Sequence, residues 1–228
     1  MHITSDQVIL WQYQGFTLNA TIVTTWVLMA IMAIGSHLVT RNLSKGPEVP
    51  RWQAVLEILV GGVRSQMEDA GLKPTFRRLI FIGSLFLFLA LSNIANIFPG
   101  YHPPTGSLST TTALALLVFF AVPIVGIQET GLKRFLKSYF EPNIIMLPFN
   151  IVNDISRTLA LAVRLFGNMM SGVMLVAILL SIAPLFFPVV MTALGLLTGL
   201  VQAYIFALLA TVYLAAASQV TNNPKEHH

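Results

Sequence analysis

Five long apolar runs punctuate the chain, at 18–40, 79–98, 109–127, 148–183 and 188–218. The first three are close to the ~20 residues that carry a helix across ~30 Å of hydrocarbon. Between the first and second runs lies a different pattern. Apolar residues recur at Trp52, Val55, Leu56, Leu59, Val60, Val63 and Met67, while Glu57, Arg64 and Glu68 fall elsewhere. That spacing predicts an amphipathic helix over 51–69, lying along the membrane surface. The last two runs are longer than an upright span needs. The 35 residues between Pro148 and Pro184 would make a helix of about 52 Å at ~1.5 Å per residue. A mismatch of this size predicts strong tilt. The fifth run has the same excess, so the two form a long, tilted C-terminal helical hairpin joined by a short turn.

The basic residues orient these runs. The segment 41–78 carries Arg41, Lys45, Arg51, Arg64, Lys73, Arg77 and Arg78, the segment 128–142 carries Lys133, Arg134 and Lys137, and Lys225 is in the tail. The first 17 residues, the loop Pro99–Leu108 and the turn Ala183–Pro188 hold no Lys or Arg. Five crossings alternate consistently with this distribution and place the N-terminus outside and the C-terminus inside. The N-terminus has no signal-peptide pattern, so insertion relies on the first span. The predicted fold class is an all-α integral membrane protein, a single membrane domain over 1–228 with five crossing helices and one interfacial helix.

Composition agrees. Hydrophobic residues make up 55% of the 228 residues and charged residues 10%, and the mean hydropathy is +0.76. A soluble domain carries roughly 25% charged residues. The absence of cysteine excludes disulfides, Cys-ligated metal sites and a thiol nucleophile. The net charge of +4 sits in short loops between apolar runs and points to no nucleic-acid partner.

Candidate chemistry is concentrated in the fourth run. Asn150, Asn153, Asp154, Arg157, Arg164, Asn168 and Ser171 fall within a ~100° arc of a helix. Gly167 and Gly172 flank the stripe and would let another helix approach closely. Asp154 and Arg157, three apart near the basic end, have the spacing of an ion pair. Arg164 is different: it lies 16 residues after Pro148 and 20 before Pro184, and no acidic residue occurs from Ile155 to Thr221. A buried unpaired cation costs about 3 kcal/mol even on insertion scales. Solvation by Asn168, backbone carbonyls and a water defect is one resolution; a counter-ion on another subunit is the better one. In the fifth run Gly195, Thr198, Gly199, Gln202 and Tyr213 share a face. Gln202 is placed to hydrogen-bond toward Arg164 or to line a water path.

These residues carry a resemblance. Arg164-Leu165-Phe166-Gly167-Asn168-Met169, then Gln202-Ala203-Tyr204-Ile205-Phe206 and Val212-Tyr213-Leu214, resemble the a subunits of F-type rotary ATP synthases. Leu147 to Ile151, Asn93 to Pro99 and Trp11 to Trp26 extend the likeness over nearly the whole chain. The resemblance implies a stator subunit that supplies two offset ion half-channels beside a rotating c-subunit ring and couples ion flow to ATP synthesis or hydrolysis. It implies Arg164 as the essential arginine, and Asn168 and Gln202 as channel-lining residues. Arg157 matches a position often basic in bacteria. Asp154, Asn96, Thr110 and Tyr213 are further ion-pathway candidates, and Gly167, Gly172, Gly195 and Gly199 are candidates for helix packing and the ring face. Implied partners are the c-ring, peripheral-stalk b subunits, the whole ATP synthase complex and the lipid bilayer, with no cofactor and no metal. The implied location is the bacterial plasma membrane, with the thylakoid membrane as the alternative.

The chain departs from the family pattern at four positions. Val173 replaces a frequent Glu, Gly195 a frequent His, Asn96 a common Asp near the end of the second span, and Ser107 an Asp before the third. The outer half-channel thus lacks its usual ionisable groups, which leaves both H⁺ and Na⁺ open as coupling ion. The competing class is a small secondary transporter binding an anionic substrate at Arg164. It would usually show inverted repeats and broken helices, and neither is evident. The chain has no Gly-rich phosphate loop, so it is expected to bind no nucleotide itself.

Overall fold

The computed structural model describes residues 9–13, 16–41, 51–97, 101, 103–132, 146–182 and 187–219. Lys45, Lys133, Arg134, Lys137 and Lys225, on which the sidedness argument partly rests, lie outside the described residues. Among the described residues six long helices follow a short hairpin: α1 (Ala20–Arg41), α2 (Arg51–Asp69), α3 (Phe76–Ile94), α4 (Leu108–Thr130), α5 (Met146–Ile182) and α6 (Phe187–Gln219). Five of them are long and apolar enough to cross a membrane, and the exception is α2. The all-α membrane class holds, and the predicted helix limits agree with those observed to within a few residues.

The hairpin is an addition to the all-α expectation. β1 (Ile9–Tyr13) pairs antiparallel with β2 (Phe16–Asn19), with Trp11 opposite Leu18 and Tyr13 opposite Phe16. The physical reason is local: aromatic and β-branched residues cluster on both sides of Gly15, and such residues favour a pleated pair.

Two helix stops have a cause in sequence. α2 ends at Gly71, whose φ of +74° is open to glycine at no steric cost. Leu72 N–H donates to the Met67 carbonyl and Gly71 N–H to the Glu68 carbonyl, both at 2.9 Å. This is the paired bonding of a Schellman cap, completed by Leu72 packing against Met67 in one apolar cluster. α4 ends at Gly131, φ +80°, whose N–H donates to the Ile127 carbonyl at 2.9 Å.

α3, α4, α5 and α6 form the bundle. Its core joins Leu85 and Leu89 of α3, Ala115 and Val118 of α4, Leu161 and Leu165 of α5, and Ala203 and Phe206 of α6. A second cluster seats the end of α2, through Val63 and Met67, against Ile82 of α3 and Leu214 of α6. Further back along the amphipathic face of α2, Val55 and Val60 are exposed and Leu56 and Leu59 half-buried. α1 stands at the periphery, with Trp26, Ile31 and Leu38 exposed and Leu28 buried. Such apolar exposure suits a chain whose solvent is partly lipid. α5 has 37 residues and α6 has 33, about 55 and 50 Å long. The excess length predicted for both is therefore real.

Candidate functional site

α5 distributes its polar stripe over two environments. At the end nearest the basic loops, Asn150, Asn153, Asp154 and Arg157 face an open cavity of about 290 Å³ lined also by Phe119 and Pro123 of α4 and Tyr213 of α6. Arg157 does not form the ion pair its spacing suggested. Its guanidinium carbon lies 5.4 Å from the centroid of the Tyr213 ring, a cation–π distance. Thr158 donates its hydroxyl to the Asp154 carbonyl at 2.9 Å, so it makes no demand on the cavity.

Arg164 sits two turns further on and is exposed on the outer face of the bundle. Among the described residues it has neither a hydrogen bond nor an ion pair; the one close pair, Arg64 with Glu68 at 3.0 Å, is on α2. Its nearest neighbours along that face are apolar or small: Val163 is 53% exposed and Gly167 is exposed beside it. Ser171 and Thr198 turn their hydroxyls back onto their own helices, to the carbonyls of Asn168 and Leu194. The arginine is a charged group that this stretch leaves to be met from outside.

At the opposite end the polar groups are neutral and buried. Ser92 and Asn93 of α3, Thr105 in the loop before α4, Thr111 of α4 and Gln202 of α6 are all under a tenth exposed. The Asn93 amide donates to the Gly199 carbonyl at 2.7 Å. The other amide atom, Asn93 Oδ1, and Gln202 Nε2, Ser92 Oγ and Thr105 Oγ1 have no partner among the described residues. Buried polar groups are normally satisfied, and where protein atoms are lacking, water takes the place. Tyr101 belongs to this zone. Burial pushes its hydroxyl above the ordinary tyrosine pKa, with the adjacent Ser92 hydroxyl offsetting part of the shift. Neither oxygen completes a hydrogen bond of good geometry.

The two amide-bearing candidates of the hairpin are not brought to Arg164 as donors. Gln202 points into the bundle while Arg164 faces out, and no hydrogen bond joins them. Asn168, one turn beyond Arg164, is half-buried, as are Asn96 and Thr110. The fully buried polar positions are their neighbours Asn93 and Thr111. A helix turns ~100° per residue, so in a Thr-Thr-Thr run the spacing alone does not say which hydroxyl faces inward. Ser92 and Asn93 carry a signal, two adjacent polar residues in an apolar span, which could have marked them. Of the four candidate glycines, Gly199 is pressed against Asn93: a Cβ there would lie 2.8 Å from Asn93 Cγ. Gly167, Gly172 and Gly195 have open space beside them, room for a closely approaching partner.

Comparison with known proteins places this arrangement. A family model described as ATP synthase A chain matches residues 22–215. "ATP synthase subunit a 2" of Acaryochloris marina is 59% identical, over 96% of this chain and 94% of its own length. "ATP synthase subunit a 1" of Chlorobaculum parvum is 60% identical, over 96% and 97%. "ATP synthase subunit a 1" of Crocosphaera subtropica is 53% identical over the whole chain and 99% of its own length.

Proposed function

The chain belongs to the family of ATP synthase A chains, and on that premise we propose that it is the stator subunit which carries ions past a rotating c-ring. It binds no nucleotide and catalyses no bond change itself; it couples ion flow to ATP synthesis or hydrolysis elsewhere in the complex. The observation that carries this reading is Arg164: a cation halfway along a 37-residue helix, exposed, with no acid from Ile155 to Thr221. Its counter-ion must come from another subunit. A ring of subunits, each with a carboxylate at mid-membrane, supplies one at every step.

The roles follow from charge. A ring carboxylate must release its ion to pass between half-channels, and a bare carboxylate in lipid is strongly disfavoured. A fixed cation at the crossing point stabilises the ionised form. The same cation repels ions that would leak from one half-channel to the other. Arginine suits the task because it stays charged when desolvated and its planar fork can pass from one carboxylate to the next, whereas a buried lysine gives up its proton readily. The cavity at Asp154 and Arg157 is the half-channel to the cytoplasm. The neutral zone around Ser92, Asn93, Thr105, Thr111 and Gln202 is the half-channel to the other side, filled by water rather than by a chain of titratable groups. Gly167, Gly172 and Gly195 let the ring approach. The exposed apolar flanks of α1 and α2 suit peripheral-stalk b subunits and lipid. The N-terminus is outside and the C-terminus cytoplasmic, in a bacterial plasma membrane.

The test is ATP-driven ion pumping by the whole complex in vesicles, with c-ring association checked by blotting. Arg164→Ala and Arg164→Lys should assemble and lose coupled pumping. Near-normal pumping by a fully assembled Arg164→Ala complex would refute the reading.

A further inference from the structure

A second groove lies apart from both polar zones, where α2 leans on the spans. Ile58, Ser65, Gln66 and Asp69 of α2 line an open cavity of about 290 Å³ together with Phe86 of α3 and Tyr204 of α6. Its polarity changes along its length. Ile58, 73% exposed, stands at one end of the α2 stripe, and Asp69, the last residue of α2, at the other. Asp69 adjoins the turn at Gly71 that leads into α3, at the membrane surface. Phe86 belongs to the span Phe76–Ile97 and Tyr204 to the span Val189–Ser218, so the facing wall reaches hydrocarbon depth.

Two polar groups of this groove are unmatched. Gln66 is 8% exposed, yet its Nε2 has no hydrogen-bond partner among the described residues. A buried amide in that state is destabilising unless something outside the chain accepts from it. The Asp69 carboxylate is exposed and has neither hydrogen bond nor ion pair among the described residues. The neighbouring cation Arg64 is held by Glu68 at 3.0 Å, and neither Arg64 nor Lys73 lines the groove. The groove thus offers a hydrogen-bond donor inside, an uncompensated anion at its mouth and an apolar wall beneath.

We propose that it holds a phospholipid of the cytoplasmic leaflet whose headgroup carries a primary ammonium, the chemistry of phosphatidylethanolamine. The ammonium meets Asp69, a phosphate or ester oxygen accepts from Gln66 Nε2 beside Ser65, and one acyl chain runs down past Phe86 and Tyr204. The volume is near the lower end, ~300 Å³, of small-molecule pockets, so it takes the headgroup side of the lipid and leaves the rest in the bilayer. Charge complementarity then ranks the lipids. Phosphatidylglycerol brings an anion and no cation to Asp69. Phosphatidylcholine brings a quaternary ammonium with no N–H to donate. The site is independent of Arg164 and of the half-channels, and its role is to fill the wedge between the surface helix and the bundle.

The experiment uses the whole ATP synthase in vesicles of equal parts phosphatidylethanolamine, phosphatidylcholine and phosphatidylglycerol. A trace of each lipid in turn carries a photoactivatable group in one acyl chain. After illumination, lipid adducts on the peptides containing Ile58 and Phe86 are measured by mass spectrometry. The ethanolamine lipid should label these peptides about three- to fivefold above the other two, the weight of one exposed ion pair. Asp69→Asn should remove that preference, and Gln66→Leu should lower labelling by the ethanolamine lipid. Asp69→Lys should turn the preference toward phosphatidylglycerol, a gain that a merely misfolded helix would not give. Equal labelling by the three lipids in the unaltered complex, or a preference that survives Asp69→Lys, overturns the proposal. So does the absence of lipid adducts from both peptides, the result expected if a protein partner is seated there. Coupled pumping by Arg164→Ala tests the ion-path reading separately, so the two failures are distinguishable.

Discussion

Replacing Gly199 with alanine should loosen the bundle within its buried neutral zone. A methyl group there would lie 2.8 Å from Asn93 Cγ, 2.9 Å from Asn93 Cβ and 3.1 Å from Asn93 Oδ1. Carbon atoms pack comfortably at ~3.5–4.0 Å, so something must yield by about 0.7 Å. A change of rotamer is not enough, because Asn93 Cβ belongs to the backbone frame of α3. The helices must separate, and the 2.7 Å bond from the Asn93 amide to the Gly199 carbonyl is strained or lost. Overpacking typically costs about 1–3 kcal/mol, and an interhelical hydrogen bond in a membrane is worth roughly 0.6–2 kcal/mol. Together these give about 1.6–5 kcal/mol, or roughly one to three and a half orders of magnitude in the equilibrium between packed and loosened forms. The assay is the temperature at which the detergent-solubilised complex releases this subunit on a native gel. Gly199→Ala should lower it clearly. Asn93→Gly removes all three clashing atoms, so Gly199→Ala/Asn93→Gly should be no less stable than Asn93→Gly alone. A Gly199→Ala complex as stable as wild type, or a double variant showing the sum of both losses, would refute the reasoning.

Three further outcomes are expected. Tyr213→Phe keeps the ring beneath Arg157 and should pump nearly normally, while Tyr213→Leu removes a contact worth about 0.5–2 kcal/mol and should slow ATP-driven uptake several-fold. Cysteines at Lys73 and Ser109, both exposed, should react with an impermeant thiol reagent from the cytoplasmic and the opposite side respectively; labelling from the same side would sink the five-crossing topology. Burial raises the Tyr101 pKa, so the folded loop favours the neutral phenol. That contribution is intact below the unfolded value of about 10 and is lost as pH rises through the folded value, so Tyr101→Phe should flatten the alkaline loss of complex stability measured between about pH 9 and 11.

The helices were legible in sequence because a membrane leaves the backbone few options: every apolar run long enough to span must satisfy its own hydrogen bonds. The limits of α5 and α6 and the position of Arg164 followed from counting. What counting does not supply is the contact between segments far apart in sequence. Asn93 and Gly199 are 106 residues apart, and Gly199 had been grouped with Gly195 by a spacing that treats both alike, though only Gly199 is in tight contact. The pairing of Asp154 with Arg157 looked natural along one helix, but Tyr213 on α6 takes the guanidinium instead. The hairpin at Ile9–Asn19 is two strands of four or five residues, too short for a periodic pattern to separate from an uncharged flank.

The distribution of polar groups along the bundle has a consequence for how one arginine can separate two aqueous routes. Asp154 and Arg157 lie at one end of α5, and Arg164 is seven residues beyond Arg157, about 10 Å along the axis. Apolar Leu161, Ala162 and Leu165 fill the core over that interval. The neutral zone begins on the other side, at Gln202, and extends through Asn93 and Thr111 to Thr105. Among the described residues water has polar partners at both ends, with apolar side chains across the middle of the bundle. On the proposed reading an ion therefore cannot pass through this subunit, and must leave it on the exposed face that carries Arg164. The fixed cation then acts where the only remaining path lies, between the subunit and its ring, and the barrier inside the bundle is made by packing rather than by charge.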